Sequence, residues 1–212
     1  MCGRYSVLTE NEIIEIREMI REISLRLLKD DFEEYTKETE EVYPTNLAPV
    51  IVGHGNGDIS FERLMWGFQK YDGKGVIINA RCESLSSKKM FSRLLAYGRC
   101  VVPAREYYEW KNTGRDKIKH YIKDKDGNIL FMAGLYQDIP RGREFVIITK
   151  DAYESVRQIH DRAPVILRVD QIEQWLNGTL SPDDITQVEF NATVEPCEIR
   201  YEQMSLDETL LS

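Results

Sequence analysis

The chain has 212 residues and a hydrophobic content of 42%, enough for a sizeable core in one globular domain over residues 1 to 212. It holds no run of about 18 apolar residues and no basic segment followed by an apolar one at its start, so neither a membrane span nor a signal peptide is expected. The net charge of −8 argues against broad adhesion to duplex DNA.

The charge is uneven. Residues 10 to 41 carry net −7 and the remainder only −1, which leaves room for a local basic groove outside the acidic segment. The four cysteines have no C-x-x-C spacing and the three histidines form no H-E-x-x-H motif, so no metal site, disulfide framework or cofactor is expected. A reducing cytoplasm fits this cysteine usage.

Taken in order, the chain opens on Met1-Cys2-Gly3-Arg4. A small residue at position 2 lets an aminopeptidase remove Met1. The chain would then begin with an α-amine titrating near 8 and a thiol near 8.5, two carbons apart. Such a pair traps aldehydes, since the amine forms an imine and the thiol closes on it to a five-membered ring. The plain alternative is a loose terminus with an incidental cysteine.

Thr9 and Glu12 have capping-box spacing. Ile13, Ile16, Ile20, Ile23 and Leu27 then recur at helical steps, predicting an amphipathic helix from about Glu10 to Leu28. Asp30 to Glu41 reads as an acidic, solvated loop. Val50 to Val52 and Ile59 to Trp66 predict strands joined by a Gly-rich turn over Gly53 to Gly57, with an exposed His54. Ser84 to Tyr97 reads as a helix, and Arg99 to Trp110 carries the apolar run Cys100-Val101-Val102 followed by Tyr107-Tyr108-Glu109-Trp110.

Ile118 to Lys123 and Ile129 to Leu135 straddle Asp126-Gly127-Asn128, a hairpin signal. Phe145 to Thr149 and Val165 to Val169 read as strands, Ala152 to Ile159 and Gln171 to Leu176 as helices, and Val188 to Phe190 as weakly strand-like. Many strands with few helices predict an α+β fold, a largely antiparallel, barrel-like sheet core with flanking helices.

Four stretches set reactive groups beside apolar or aromatic residues: Cys2-Gly3-Arg4, Asn79-Ala80-Arg81, Tyr108-Glu109-Trp110 and His160-Asp161-Arg162. Glu109 reads either as a poorly hydrated carboxylate suited to proton transfer or as an exposed glutamate on an alternating strand. His160 is a proton carrier or a helix cap, and Asn79 a site residue or a turn former. Arg81 and Arg162 are ligand contacts or surface ion-pair partners. Trp66 is a stacking surface or core.

These stretches, in this order and with Asn46-Leu47-Ala48-Pro49, Trp66-Gly67, Cys82-Glu83-Ser84 and Arg99-Cys100-Val101-Val102-Pro103-Ala104 between them, resemble the SOS response-associated peptidase (SRAP) family. The likeness runs from Met1 to at least Leu167. It implies a cytoplasmic, monomeric protein (nucleoid-associated if bacterial) that recognises abasic sites in single-stranded DNA. Cys2 would bond covalently to the ring-opened sugar aldehyde. Asn79 would hold the amino terminus or the lesion, Glu109 would move protons at the nucleophile and imine, and His160 would assist ring opening. Arg81, Arg162 and Arg4 would contact phosphates, and Trp66, Phe68 or Tyr71 would stack on bases. Glu106-Tyr107 stands where the family often has Gly-Phe, and Ala163 where it often has methionine. Two further functions remain open: a cysteine hydrolase, including removal of its own Met1, and a non-catalytic module for single-stranded or modified DNA.

Overall fold

A computed structural model describes residues 2–23, 27–30, 41–54 and 58–197. The expected acidic loop and most of the Gly-rich turn lie outside the described residues.

In chain order the elements are β1 (Tyr5–Ser6), α1 (Glu10–Ile23), β2 (Leu27–Asp30), β3 (Glu41–Val42), β4 (Leu47–Gly53), β5 (Ile59–Trp66), β6 (Phe68–Gln69), β7 (Val76–Ile77) and β8 (Asn79–Arg81). A short 3₁₀ turn (Cys82–Ser84) leads to α2 (Lys89–Leu94), β9 (Arg99–Ala104), β10 (Glu106–Asn112), β11 (Lys117–Asp124), β12 (Leu130–Ile139) and β13 (Gly142–Asp151). The remainder comprises β14 (Arg162–Pro164), β15 (Ile166–Leu167), α3 (Val169–Leu176), α4 (Pro182–Thr186) and β16 (Ala192–Pro196).

The core is a barrel-like sheet. β13, β12, β9, β4 and β5 follow one another as antiparallel neighbours, and a parallel pairing of β5 with β13 closes the ring. β8, β14 and β15 attach to its outside on β13 and β12. A second sheet, ordered β16-β11-β10-β1-β3, is antiparallel throughout. The expected α+β architecture is therefore present, with parallel pairings among the described residues only at β5–β13, β8–β13 and β2–β5.

The barrel strands are buried on both faces. Along β13, Val146 and Ile148 enter one apolar cluster with Ile51, Phe61, Val101 and Trp175, while Phe145 and Ile147 enter a second with Val50, Val52, Trp66 and Val102. Double burial explains the unbroken apolar runs of these strands. Cys2, Tyr5 and Tyr107 belong to the second cluster, so the N-terminal segment is packed against the barrel wall.

Four expectations need correction. Residues after Asp126-Gly127-Asn128 do not fold back on β11: β11 pairs with β10 and β16, and β12 with β9 and β13, so the turn passes between sheets. The helix read over Ala152 to Ile159 is a run of turns whose amides reach back to Tyr153 and Val156. Helix α1 ends at Ile23, and Leu27–Asp30 is a strand. His54 is half-buried, its Nε2 lying 2.7 Å from Ser60 Oγ. No described helix is long and apolar enough to cross a membrane.

Candidate active site

The site is built where the two sheets meet. β1 lies along β10, with Tyr5 opposite Tyr107 and the Tyr108 amide donating to Arg4 O at 2.9 Å. This fixes the chain immediately after Cys2. From the barrel side, β8 pairs in parallel with β13, which places Asn79 opposite Ile147. Asn79 Nδ2 donates to the Cys2 carbonyl oxygen at 2.9 Å, joining residues 77 apart in sequence. Cys2 is thereby held by its backbone, fully buried.

Side chains two apart on a strand share a face, so Tyr107 and Glu109 project from the same side of β10. Glu109 is 2% exposed. Burial pushes its carboxyl up to about 7, against the pull of the chain's positive amino terminus. Burial, reinforced by the Glu109 carboxylate, also pushes the Cys2 thiol far above its ordinary range. The resting sulfur is therefore a thiol beside a carboxyl poised between its two forms.

His160 follows the turns after β13. Its Nδ1 lies 2.9 Å from the Arg162 amide nitrogen and 2.8 Å from Asp161 Oδ1. A neutral ring accepts from the amide and keeps its proton on Nε2; a protonated ring donates to Asp161. Burial and the positive amino terminus hold its pKa below the usual value, so the Nε2–H neutral form is the resting one. The same loop reaches Glu109 electrostatically through Asp161. Asn79 is thus bonded to Cys2, Glu109 acts electrostatically on the Cys2 thiol, and the loop of His160 acts on Glu109 through Asp161. Together they offer a thiol, a carbonyl clamp, a titrating carboxyl and an N–H donor. Among the described residues no three His, Cys, Asp or Glu side chains are grouped to hold a metal ion.

A profile described as SOS response associated peptidase (SRAP) matches residues 1–205. The chain belongs to the SRAP family. It is 33% identical over 204 residues to the abasic site processing protein YoqW of Bacillus subtilis, spanning 88% of this chain and 85% of that protein. It is 26% identical over 215 residues to the abasic site processing protein YedK of Escherichia coli, spanning 97% and 92%. A crystal structure of a protein from Bacteroides thetaiotaomicron superposes with a TM-score of 0.74 at 26% identity, covering 93% of both chains.

The residues that the SRAP resemblance assigns to DNA divide sharply. Arg81 is exposed at the end of β8. Arg4 is half-buried, stacked 4.2 Å from the Tyr43 ring centre and 5.1 Å from that of Trp110, with Nη1 3.1 Å from Glu41. Arg162 differs from the expected phosphate contact. It is 8% exposed, and its guanidinium donates to both oxygens of Glu83 (2.8 and 2.9 Å), to Asp151 Oδ1 (2.6 Å) and to Thr149 O (2.7 Å). It braces the turn that carries His160.

Trp66 likewise differs from the expected stacking surface. It is fully buried against Tyr5 and Phe145, its indole N–H bonded to Ile78 O at 3.0 Å. Phe68 is buried, which leaves Tyr71, fully exposed in the turn between β6 and β7. Sequence reading missed Glu83 as the partner of Arg162, and the Tyr43–Arg4–Trp110 stack. The period-two alternation of β10 was the available signal that Tyr107 accompanies Glu109.

Proposed function

We propose that this protein captures abasic sites in single-stranded DNA by forming a thiazolidine between Cys2 and the sugar aldehyde, after loss of Met1. The observation that supports this reading best is the clamp on Cys2: its carbonyl is fixed by Asn79 while its thiol, 3.8 Å from Arg4 O, senses the charge of a buried carboxyl with a pKa of about 7. The abasic site processing activity named in its relatives points to the same substrate.

An abasic sugar is mostly a closed hemiacetal. In its protonated form His160 is suited to give its proton to the ring oxygen as the C1–O bond breaks, while the hemiacetal hydroxyl releases its own proton to water, freeing the aldehyde. The Cys2 amine attacks the aldehyde carbon and the resulting carbinolamine loses water, with Glu109 taking a proton from the ammonium and returning one to the leaving hydroxyl. The Cys2 sulfur then adds to the imine carbon. Aldehyde, amine and thiol give thiazolidine and water. Arg81, Arg4 and Tyr71 supply cations and a ring for the flanking strand. Removal of Met1 by the same Cys2–Glu109 pair is the peptidase activity this site would carry.

The test is a denaturing gel with an oligonucleotide containing one abasic site, beside mass spectrometry of the amino terminus. The expected result is a band that survives denaturant, formed by protein beginning at Cys2. It should be lost in Cys2→Ser, whose amine can form an imine but cannot close a sulfur ring. A retained Met1 on fully cross-linking protein sinks the mechanism, and binding without a denaturant-resistant band favours a non-covalent module.

A further inference from the structure

Three observations meet at Tyr107. The residue is fully buried, yet its hydroxyl has no hydrogen-bond partner among the described residues. It shares a face of β10 with Glu109. It packs in the same apolar cluster as Cys2, and Cys2, then Tyr153, then Glu109 are the groups whose charge its phenol senses. A buried hydroxyl with nothing to bond destabilises the fold, and phenylalanine would fill the same space without that loss. The hydroxyl is therefore kept unbonded within the cluster that holds Cys2, at a cost to stability.

The geometry points to Tyr107 as the hydrogen-bond donor that the Cys2 sulfur acquires as it becomes anionic to close the thiazolidine ring. This rests on the cross-linking reading above. In the closing step the C–S bond forms, the S–H bond breaks with its proton passing to the Glu109 carboxylate, and the C=N π pair of the protonated imine moves onto nitrogen. Tyr107 keeps its own proton. Burial drives its phenol well above the usual range, so it serves as a donor and not as a base. A neutral thiol is a weak acceptor and a developing thiolate a strong one. The bond is thus missing at rest and made when charge appears, which is the condition for lowering a barrier instead of tightening the ground state.

Tyr107→Phe removes one oxygen. Two aldehydes test it: a single-stranded oligonucleotide with an abasic site, and formaldehyde, which needs no DNA contact. Mass spectrometry follows the closed ring, and borohydride traps the open imine. Ring closure should slow about tenfold with both aldehydes, the scale of one hydrogen bond to a charged atom. The trappable imine should accumulate, and the variant should melt at the same temperature as the wild type or higher. Equal ring-closure rates in wild type and variant overturn the role. So does a lower melting temperature with every step slowed alike, imine formation included, because that marks a packing defect. Should the wild type close on formaldehyde but never on the abasic strand, the DNA reading fails while the formaldehyde comparison still decides for or against Tyr107.

Discussion

Glu109 holds its proton more tightly in the folded protein than in the unfolded chain, its pKa rising from 4.5 to about 7 because it is buried. Between those values the folded state binds more protons. Stability therefore falls as pH rises through this window, and the loss is complete above it. It amounts to roughly 3 kcal/mol. Glu109→Gln cannot titrate, so it should melt above the wild type at pH 8, with the difference vanishing near pH 4. The same substitution should flatten the cross-linking rate, which in the wild type climbs through pH 7 as the base ionises. Coincident melting at pH 8 would show that the carboxylate is not destabilised. The two buried or exposed arginines separate in a different way. Arg162→Ala removes the buried cation that Glu83, Asp151 and Thr149 O share and should cost about 1–3 kcal/mol in denaturant unfolding, since both carboxylates stay in water. Arg81→Ala should leave stability unchanged and reduce the salt slope of single-strand binding by about 0.7. At this scale the candidate residues were legible, because a cysteine at position 2, a carboxylate between aromatics and a histidine beside an aspartate each suggest a chemistry. What burial does to them was not. Arg81 and Arg162 look alike in sequence, and only the position of Glu83 decides that one reaches solvent and the other braces a loop.

Elements with local signals came through best. The Thr9–Glu12 capping box forms reciprocally, with the Thr9 amide 2.6 Å from Glu12 Oε2 and the Glu12 amide 3.4 Å from Thr9 Oγ1. The β4–β5 hairpin forms where its two apolar runs and the turn between them predict it, with Gly53 opposite Ile59. Pairing between distant strands was not legible. Asp126-Gly127-Asn128 states that the chain reverses, with Gly127 at φ 81°, but says nothing of which sheet receives the next strand. That choice belongs to β9 and β13, which cover both edges of β12. Their closeness has a measurable consequence at Gly134, where a Cβ would stand 2.8 Å from Cys100 Sγ and 2.9 Å from Val146 O. Gly134→Ala should destabilise the barrel by about 1–3 kcal/mol in urea unfolding. An unchanged midpoint would mean that the ring yields at this seam.

For the whole molecule, the charge distribution and the two-sheet plan work together. The acid-rich segment near the N-terminal helix leaves the remaining surface close to neutral, so attraction to nucleic acid must be local. The groups of the candidate site come from both sheets: Cys2 and Glu109 ride on the β1–β10 side, and Asn79 and His160 on strands and turns of the barrel. Composition and patterning foretold a barrel-like α+β fold. They held no information on the seam between sheets, because it is made by contacts such as Asn79 to Cys2 that span most of the chain.

That contact also sets a clock. Cys2 is made 77 residues before Asn79, and the strand containing Tyr107 follows later still, so the residues that hold it emerge several seconds after it at ordinary elongation rates of about 5–20 residues per second. During that interval the Met1–Cys2 bond is open to a separate aminopeptidase. In the finished protein Cys2 is fully enclosed. On the capture reading proposed above, removal of Met1 by another enzyme would therefore belong to the time of synthesis, before Cys2 is enclosed.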